Sequence, residues 1–214
     1  MQDIDINTTI SEVSLFIEKL QADMPEVFKS GKKTPLKKLL YMGKLYDVNL
    51  NRGEQSCITF NDDTFTLTAP NFRQHNLKPV IEGWMKTRAQ KTIEEKVKHW
   101  AEKMELEFNK VSVKDQKSLW GSCSHKGNLN FCWRIIKAPG EVLDYLVIHE
   151  LAHIKYLNHG EEFWQLVNSH CPENKKSRKW LNQYKERLFV NEDSNDEENQ
   201  NSDQPEQQSA NRNI

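Results

Sequence analysis

The hydrophobic periods along the chain predict an α+β fold built around one buried helix. Three observations carry this. Residues 41–69 alternate apolar and polar with a period of two, residues 71–109 and 161–189 repeat apolar positions at helical spacing, and residues 141–157 are apolar on nearly every side. A helix apolar all round is a buried helix. His149, Glu150 and His153 lie within that run, and polar groups buried without partners are costly.

Taken in order, residues 8–28 space Ile10, Val13, Phe16, Ile17 and Leu20 as a short amphipathic helix would. The stretch "KSGKKTPLKKLL" reads as a solvated lysine-rich link. "KLYDVNL", "SCITF" and "TFTLTA", separated by "NRGEQ" and "NDD", predict a small antiparallel meander. Pro70 and Asn71 open a helical stretch to about residue 109, with Trp84, Met85, Val97, Trp100, Ala101 and Met104 as core. Two β-rich runs, 110–120 and 128–136, flank the turn-rich "GSCSHKGN" and predict a hairpin. Pro139 and Gly140 start the buried helix. Another helix follows Gly160, with Glu161 and Glu162 where the helix dipole favours them and Phe163, Trp164, Leu166 and Val167 inward; Cys171 and Pro172 stop it. A last helix, "SRKWLNQYKERLF", turns Trp180, Leu181, Tyr184 and Leu188 inward. No internal repeat is present. The expected division is an N-terminal helix and β-region over 1–70, a main domain over 71–190, and a disordered tail over 191–214.

The formal charge of −1 conceals an asymmetry. The tail holds seven acids and one base, so the body keeps 29 bases and 24 acids and is about +5. Such a body tolerates an anionic substrate without demanding one. The tail has almost nothing to bury, hence the expectation of disorder. Cys57, Cys123, Cys132 and Cys171 form no CxxC pair, the N-terminus lacks a signal-peptide pattern, and no apolar run is long enough to span a bilayer. These features point to the cytosol and reduced thiols.

The chemistry concentrates in "HELAHIKYLNHG", residues 149–160. Helix positions four apart are offset by about 40°, so His149 and His153 can put two nitrogens on one ion. Glu150 lies beside them, where its carboxylate reaches a water at the metal, the general-base position of H-E-x-x-H hydrolases. A satisfied structural histidine pair is the alternative. Zinc needs a third protein ligand and an open position. On a continuing helix His159 would point about 240° away from His153. The helix must therefore end first, and Asn158 is the residue suited to turn it. The H-E-x-x-H-x₅-H spacing equals that of the metzincins, but Tyr156 stands at their glycine and no methionine follows Met104. Glu173 is the competing third ligand; imidazole suits zinc and the loop is short, which favours His159. His75, His99, His125 and His170 read as surface or capping residues. Cys123 is either a small buried hydrophobe or a ligand or reactive thiol. Arg134 either binds a substrate carboxylate or phosphate, or pairs with an acid.

Together, "WGSCS", "GNLNFCWRII" followed by "AP", "LDYLVIHELAH", "NHGEEFW" and "RKWL" resemble the YgjP-like metallopeptidase family, relatives of the SprT-type zincins, over about residues 110–190. "GKLYDVNL" resembles the family's N-terminal part. The resemblance implies a zincin-like α+β domain with a small antiparallel sheet and an HExxH active-site helix, zinc on His149, His153 and His159, and Glu150 as catalytic acid/base. Gly160 stands where the family usually has Ser, and Cys132 where it often has Asn or Ser; these departures bear on substrate contacts. The family also carries a UTP pyrophosphatase label. The first reading is thus a zinc hydrolase of peptide bonds, with an extended peptide held along a strand near 128–136. The second is a metal-dependent nucleoside triphosphate pyrophosphatase using Arg134 and the lysines of 29–38, although the chain has no P-loop. The third is a nucleic-acid-binding module with structural zinc. It is disfavoured because structural sites are usually closed by four ligands rich in Cys.

Overall fold

The computed structural model of the chain describes residues 38–72 and 76–189. The expected helix over 8–28, the lysines of 29–37, His75 and the tail 191–214 lie outside the described residues. Among those described, no helix is long and apolar enough to cross a membrane.

Four strands, β1 (Lys38–Tyr41), β2 (Lys44–Arg52), β3 (Cys57–Asn61) and β4 (Thr64–Ala69), form the first sheet in the order β1-β2-β4-β3. Tight turns with positive φ at Met42 and Gly43, and at Asp62 and Asp63, close its two hairpins. The expected meander is corrected in one respect. β4 inserts between β2 and β3 and runs parallel to β2, with Val48 opposite Phe65. Burial explains the insertion, because β4 is the strand whose alternate residues Phe65, Leu67 and Ala69 are wholly buried. Phe65 packs with Tyr41, Tyr46, Phe60 and Trp84, joining this sheet to the first helix.

That helix, α1, runs Lys78–Lys103, so it starts later and ends earlier than expected. Pro79 stands in its first turn, and the Asn76 side chain accepts a hydrogen bond from the Lys78 N–H at 3.1 Å. It ends where Glu105 takes a left-handed φ of 54° and the Leu106 N–H reaches the Ala101 carbonyl at 2.9 Å. Met85, Ala89, Ile93, Val97 and Ala101, spaced by four, are its buried stripe. Trp84 and Trp100 are only half-buried, at the margin of the core.

β5 (Lys110–Lys114), β6 (Gly121–Cys123) and β7 (Asn128–Cys132) form the second sheet. The expected hairpin of 110–120 with 128–136 is corrected here too. β7 is central, parallel to β5 and antiparallel to β6. The second run stops at Cys132 and continues as a 3₁₀ turn, Trp133–Lys137, so Arg134 is not on a strand.

The apolar helix, α2 (Gly140–Lys155), buries Val142, Leu143, Tyr145, Leu146, Val147, Ile148, Glu150, Leu151 and Ala152. Its entry is fixed by the β1–β2 turn. Met42 and Gly43 donate N–H groups to the carbonyls of Ile136 and Lys137 at 2.9 and 3.0 Å, and a side chain at Gly43 would collide with Pro139. Asp144 joins α2 to α1, accepting from Lys96 and from the Trp100 indole, both at 2.7 Å. α3 (Glu161–His170) and α4 (Asn174–Phe189) complete the fold; α4 begins three residues earlier than its expected start. Asn174 is buried at the α3–α4 corner, donating to Cys171 O at 2.8 Å.

Asp144→Ala leaves the Lys96 ammonium and the Trp100 N–H without their shared acceptor. It should destabilise the fold by about 1–3 kcal/mol, read as a lower urea midpoint at unchanged slope. A midpoint equal to wild type would show that solvent replaces the lost acceptor fully.

Candidate metal centre

The site begins where α2 stops. Tyr156 takes an extended conformation (φ −126°, ψ 110°), so the helix ends at Lys155, before the Asn158 that the sequence had suggested for the turn. The Tyr156 carbonyl turns back to meet His153 Nδ1 at 3.0 Å. A carbonyl only accepts, so Nδ1 carries the proton and Nε2 presents a lone pair. The chain then brings His159 back over the helix, with Nε2 3.1 Å from His149 Nε2. His149 Nδ1 lies 3.5 Å from the Tyr145 hydroxyl, one turn earlier on α2.

The three histidines thus converge, with ligand atoms all within 4.8 Å of one another. Two nitrogens held about 2.0–2.1 Å from a tetrahedral zinc lie about 3.3 Å apart, close to the His149–His159 separation. Two imidazole lone pairs facing each other at 3.1 Å repel unless a proton or a cation lies between them. Protonation is the disfavoured answer. Burial, followed by the charges of His153, His159 and Arg178, brings His149 down to about 3. His159 is also lowered, by burial and then by His153 and Arg178. Three neutral imidazoles are a donor set suited to zinc, and the residues present fit such an ion.

Glu150 follows His149 on α2 and is 5% exposed. Burial pushes its carboxyl up to about 8. Its seat is made by β6. A Cβ at Gly121 would lie 2.6 Å from Glu150 Oε1 and 2.9 Å from Cδ, so only glycine leaves room for the carboxyl. The "WGSCS" segment therefore borders the site through its glycine. Trp120 anchors it, donating its indole N–H to the Leu181 carbonyl of α4 at 3.2 Å. Cys123 is half-buried and raised to about 11 by burial and then by the Glu150 charge. It is not among the three clustered ligands.

Residues that the sequence reading assigned only to packing complete the site. The wholly buried Phe163 puts its ring 5.0, 4.6 and 4.8 Å from the rings of His149, His153 and His159. Trp164 stacks on His159 at 5.7 Å. Tyr145 had a legible signal, since it lies four residues before His149 and so on the same helix face. Gly121 and Phe163 had none, because their roles depend on contacts across the fold.

The remaining candidates lie elsewhere. Glu173 is exposed and pairs with Lys176 at 2.6 Å. Arg134 is 3% exposed and bonded to Asp115, with its guanidinium carbon 4.8 Å from the centre of the Trp133 ring. Burial alone raises Asp115, but the Arg134 hydrogen bond and charge outweigh it and hold the carboxyl below its usual range. Of the two roles open to Arg134, the structure displays the acid partner. His99 packs edge-on against Trp100, His125 lies in an exposed turn, and His170 Nδ1 is 3.1 Å from the Leu166 carbonyl.

These shifts contribute to the pH response of the metal-free protein. Glu150 is raised from 4.5 to about 8 and His149 is lowered from 6.5 to about 3. Above pH 6.5 and up to about 8, the folded chain keeps a proton on Glu150 that the unfolded chain has released, so stability falls as pH rises. Between about 4.5 and 3, the unfolded chain protonates His149 and the folded chain does not, so stability falls with falling pH. From 4.5 to 6.5 the two effects oppose each other. Melting of the metal-free protein at pH 6.5 and 8.5 should show the upper decline in wild type and a much smaller one in Glu150→Gln. Equal declines would assign the effect to another group.

No curated protein and no solved structure matches the chain significantly. The family model for the YgjP-like, metallopeptidase domain matches residues 1–184. That span takes in both sheets, the convergent histidines and most of α4, and the chain belongs to the YgjP-like metallopeptidase-domain family.

Proposed function

We propose that the protein is a zinc-dependent hydrolase of peptide bonds, with zinc on His149, His153 and His159 and Glu150 as general base. The observation that carries this reading is the meeting of three imidazoles at the end of a helix that also buries the Glu150 carboxyl. Bound zinc would supply a Lewis acid and bring the pKa of water to about 7. The chain's residues do the rest. Glu150 accepts the proton of the attacking water and passes it to the leaving amine. Its burial keeps that proton from bulk solvent. The Tyr156 carbonyl and the Tyr145 hydroxyl orient the His153 and His149 rings. Phe163 fixes all three imidazoles from behind.

The strand that receives substrate differs from the one first expected. β7, within 128–136, has neighbours on both sides, whereas β6 is an edge of the sheet and packs against α2. An extended peptide added to β6 would run past Gly121 and the Glu150 carboxyl. The nucleotide reading drew on the basic body, on Arg134, here engaged by Asp115, and on the lysines of 29–38, of which Lys38 pairs with Asp47 at 3.2 Å and the rest lie outside the described residues. Structural zinc would want a fourth ligand, and the described cluster holds three.

His149→Ala or His153→Ala should abolish zinc binding, and His159→Ala should weaken it more than Glu173→Ala does, as measured by metal analysis. Glu150→Gln should keep zinc and lose about 10²–10⁴-fold in hydrolysis of a peptide panel. Wild-type turnover in Glu150→Gln would remove the general base from the scheme.

Gly121→Ala should leave zinc content and far-UV circular dichroism unchanged. It displaces the Glu150 carboxyl, and such misplacement costs up to about 10²-fold in kcat. Unchanged kcat would mean that the carboxyl works from another position.

A further inference from the structure

Arg178 is an exposed residue of α4, and its guanidinium carbon lies 5.2 Å from the centre of the Trp164 ring. The same ring stacks on His159 at an interplanar angle of 25° and lies 6.1 Å from His149. The arginine is thus carried to the rim of the histidine cluster by the aromatic side chain that covers it. Its charge is felt there, opposing protonation of His149 and His159 and counteracting the burial that raises Tyr145. Among the described residues, no carboxylate pairs with Arg178, and its contact is the Trp164 ring. A guanidinium held against an aromatic ring keeps its donor fork available for a bidentate anion.

The ligand class follows from number and shape. A single fork matches one carboxylate, whereas a triphosphate asks for several cations. We propose that Arg178, held by Trp164, is a carboxylate-recognising subsite beside the histidine cluster. It binds a peptide through either a free C-terminus or an acidic side chain. The inference rests on the peptidase reading, which it sharpens from peptides in general to peptides carrying a carboxylate near the cleaved bond.

The test uses the zinc-loaded full chain and a probe with no bond to cleave. Calorimetric titration with 3-phenylpropionate should show binding that Arg178→Gln weakens at least tenfold, with Arg178→Lys intermediate and zinc content equal in all three. The neutral amide of the same probe should not distinguish the variants. With peptides, wild type should prefer a free C-terminus over an amidated one, or an internal Glu over Gln, by tenfold or more in kcat/KM. Whichever pair shows the preference identifies the source of the carboxylate, and Arg178→Gln should bring that ratio close to one. Equal phenylpropionate affinity in wild type and Arg178→Gln overturns the proposal. So does inorganic phosphate binding more tightly than phenylpropionate through Arg178, which would assign the subsite to phosphate esters. If phenylpropionate binding depends on Arg178 but no peptide is cleaved, the peptidase reading fails and the carboxylate subsite stands.

Discussion

Helix α2 is buried on almost every side, so the polar groups on its buried surface need partners or room. Asp144 is answered by Lys96 and Trp100 of α1, and His153 by the Tyr156 carbonyl just beyond the helix end. His149 meets Tyr145 and His159, and the Glu150 carboxyl is given space by the missing side chain of Gly121. The architecture around the helix can be read as these answers. α1 packs where Asp144 needs donors, β6 lies where Glu150 needs room, and the loop after α2 returns because His149 has a nitrogen facing outward. A solvated helix would have required none of them.

The same dependence couples parts of the site that are distant in sequence. The Trp120 indole binds the Leu181 carbonyl, so β6 and α4 hold each other in place. One of these elements seats Glu150 and the other carries Arg178. Trp180 and Tyr184 stack at 4.3 Å and, with Leu181, bury the inner face of α4, leaving Arg178 on the outer face. On α3, Phe163 and Trp164 are neighbours with separate tasks: one backs the three imidazoles and the other bridges His159 to Arg178.

Much of this was legible in the sequence, and the reasons are local. The burial of α2 followed from its composition, and the pairing of His149 with His153 from the helical period. The return of His159 followed from the need to end the helix, although the break falls at Tyr156 and not at Asn158. Strand order was not legible. In both sheets a later strand inserts between two earlier ones, β4 between β2 and β3 and β7 between β5 and β6. Alternating hydrophobicity reports which face of a strand is buried and says nothing of its neighbours. That gap moved the expected peptide-binding edge from β7 to β6. Arg134 likewise looked available in the sequence because its partner Asp115 is nineteen residues away, on a loop no local pattern links to it.

The electrostatics give these parts a common direction. Burial holds His149 neutral and keeps the Glu150 carboxyl protonated up to about pH 8. Arg178 adds to this by opposing any proton on His149 or His159. The buried carboxyl thus holds a proton whose release a nearby positive charge would favour. On the proposed function, cation binding and ionisation of Glu150 would be linked: occupation of the histidines would lower the cost of the carboxylate, and the carboxylate would strengthen the hold on the cation. On the proposed function, the buried glutamate would be an acid while the histidines are empty and a base once they hold zinc. Burial of α2 would thus tie the proposed base to the occupied state of the histidines.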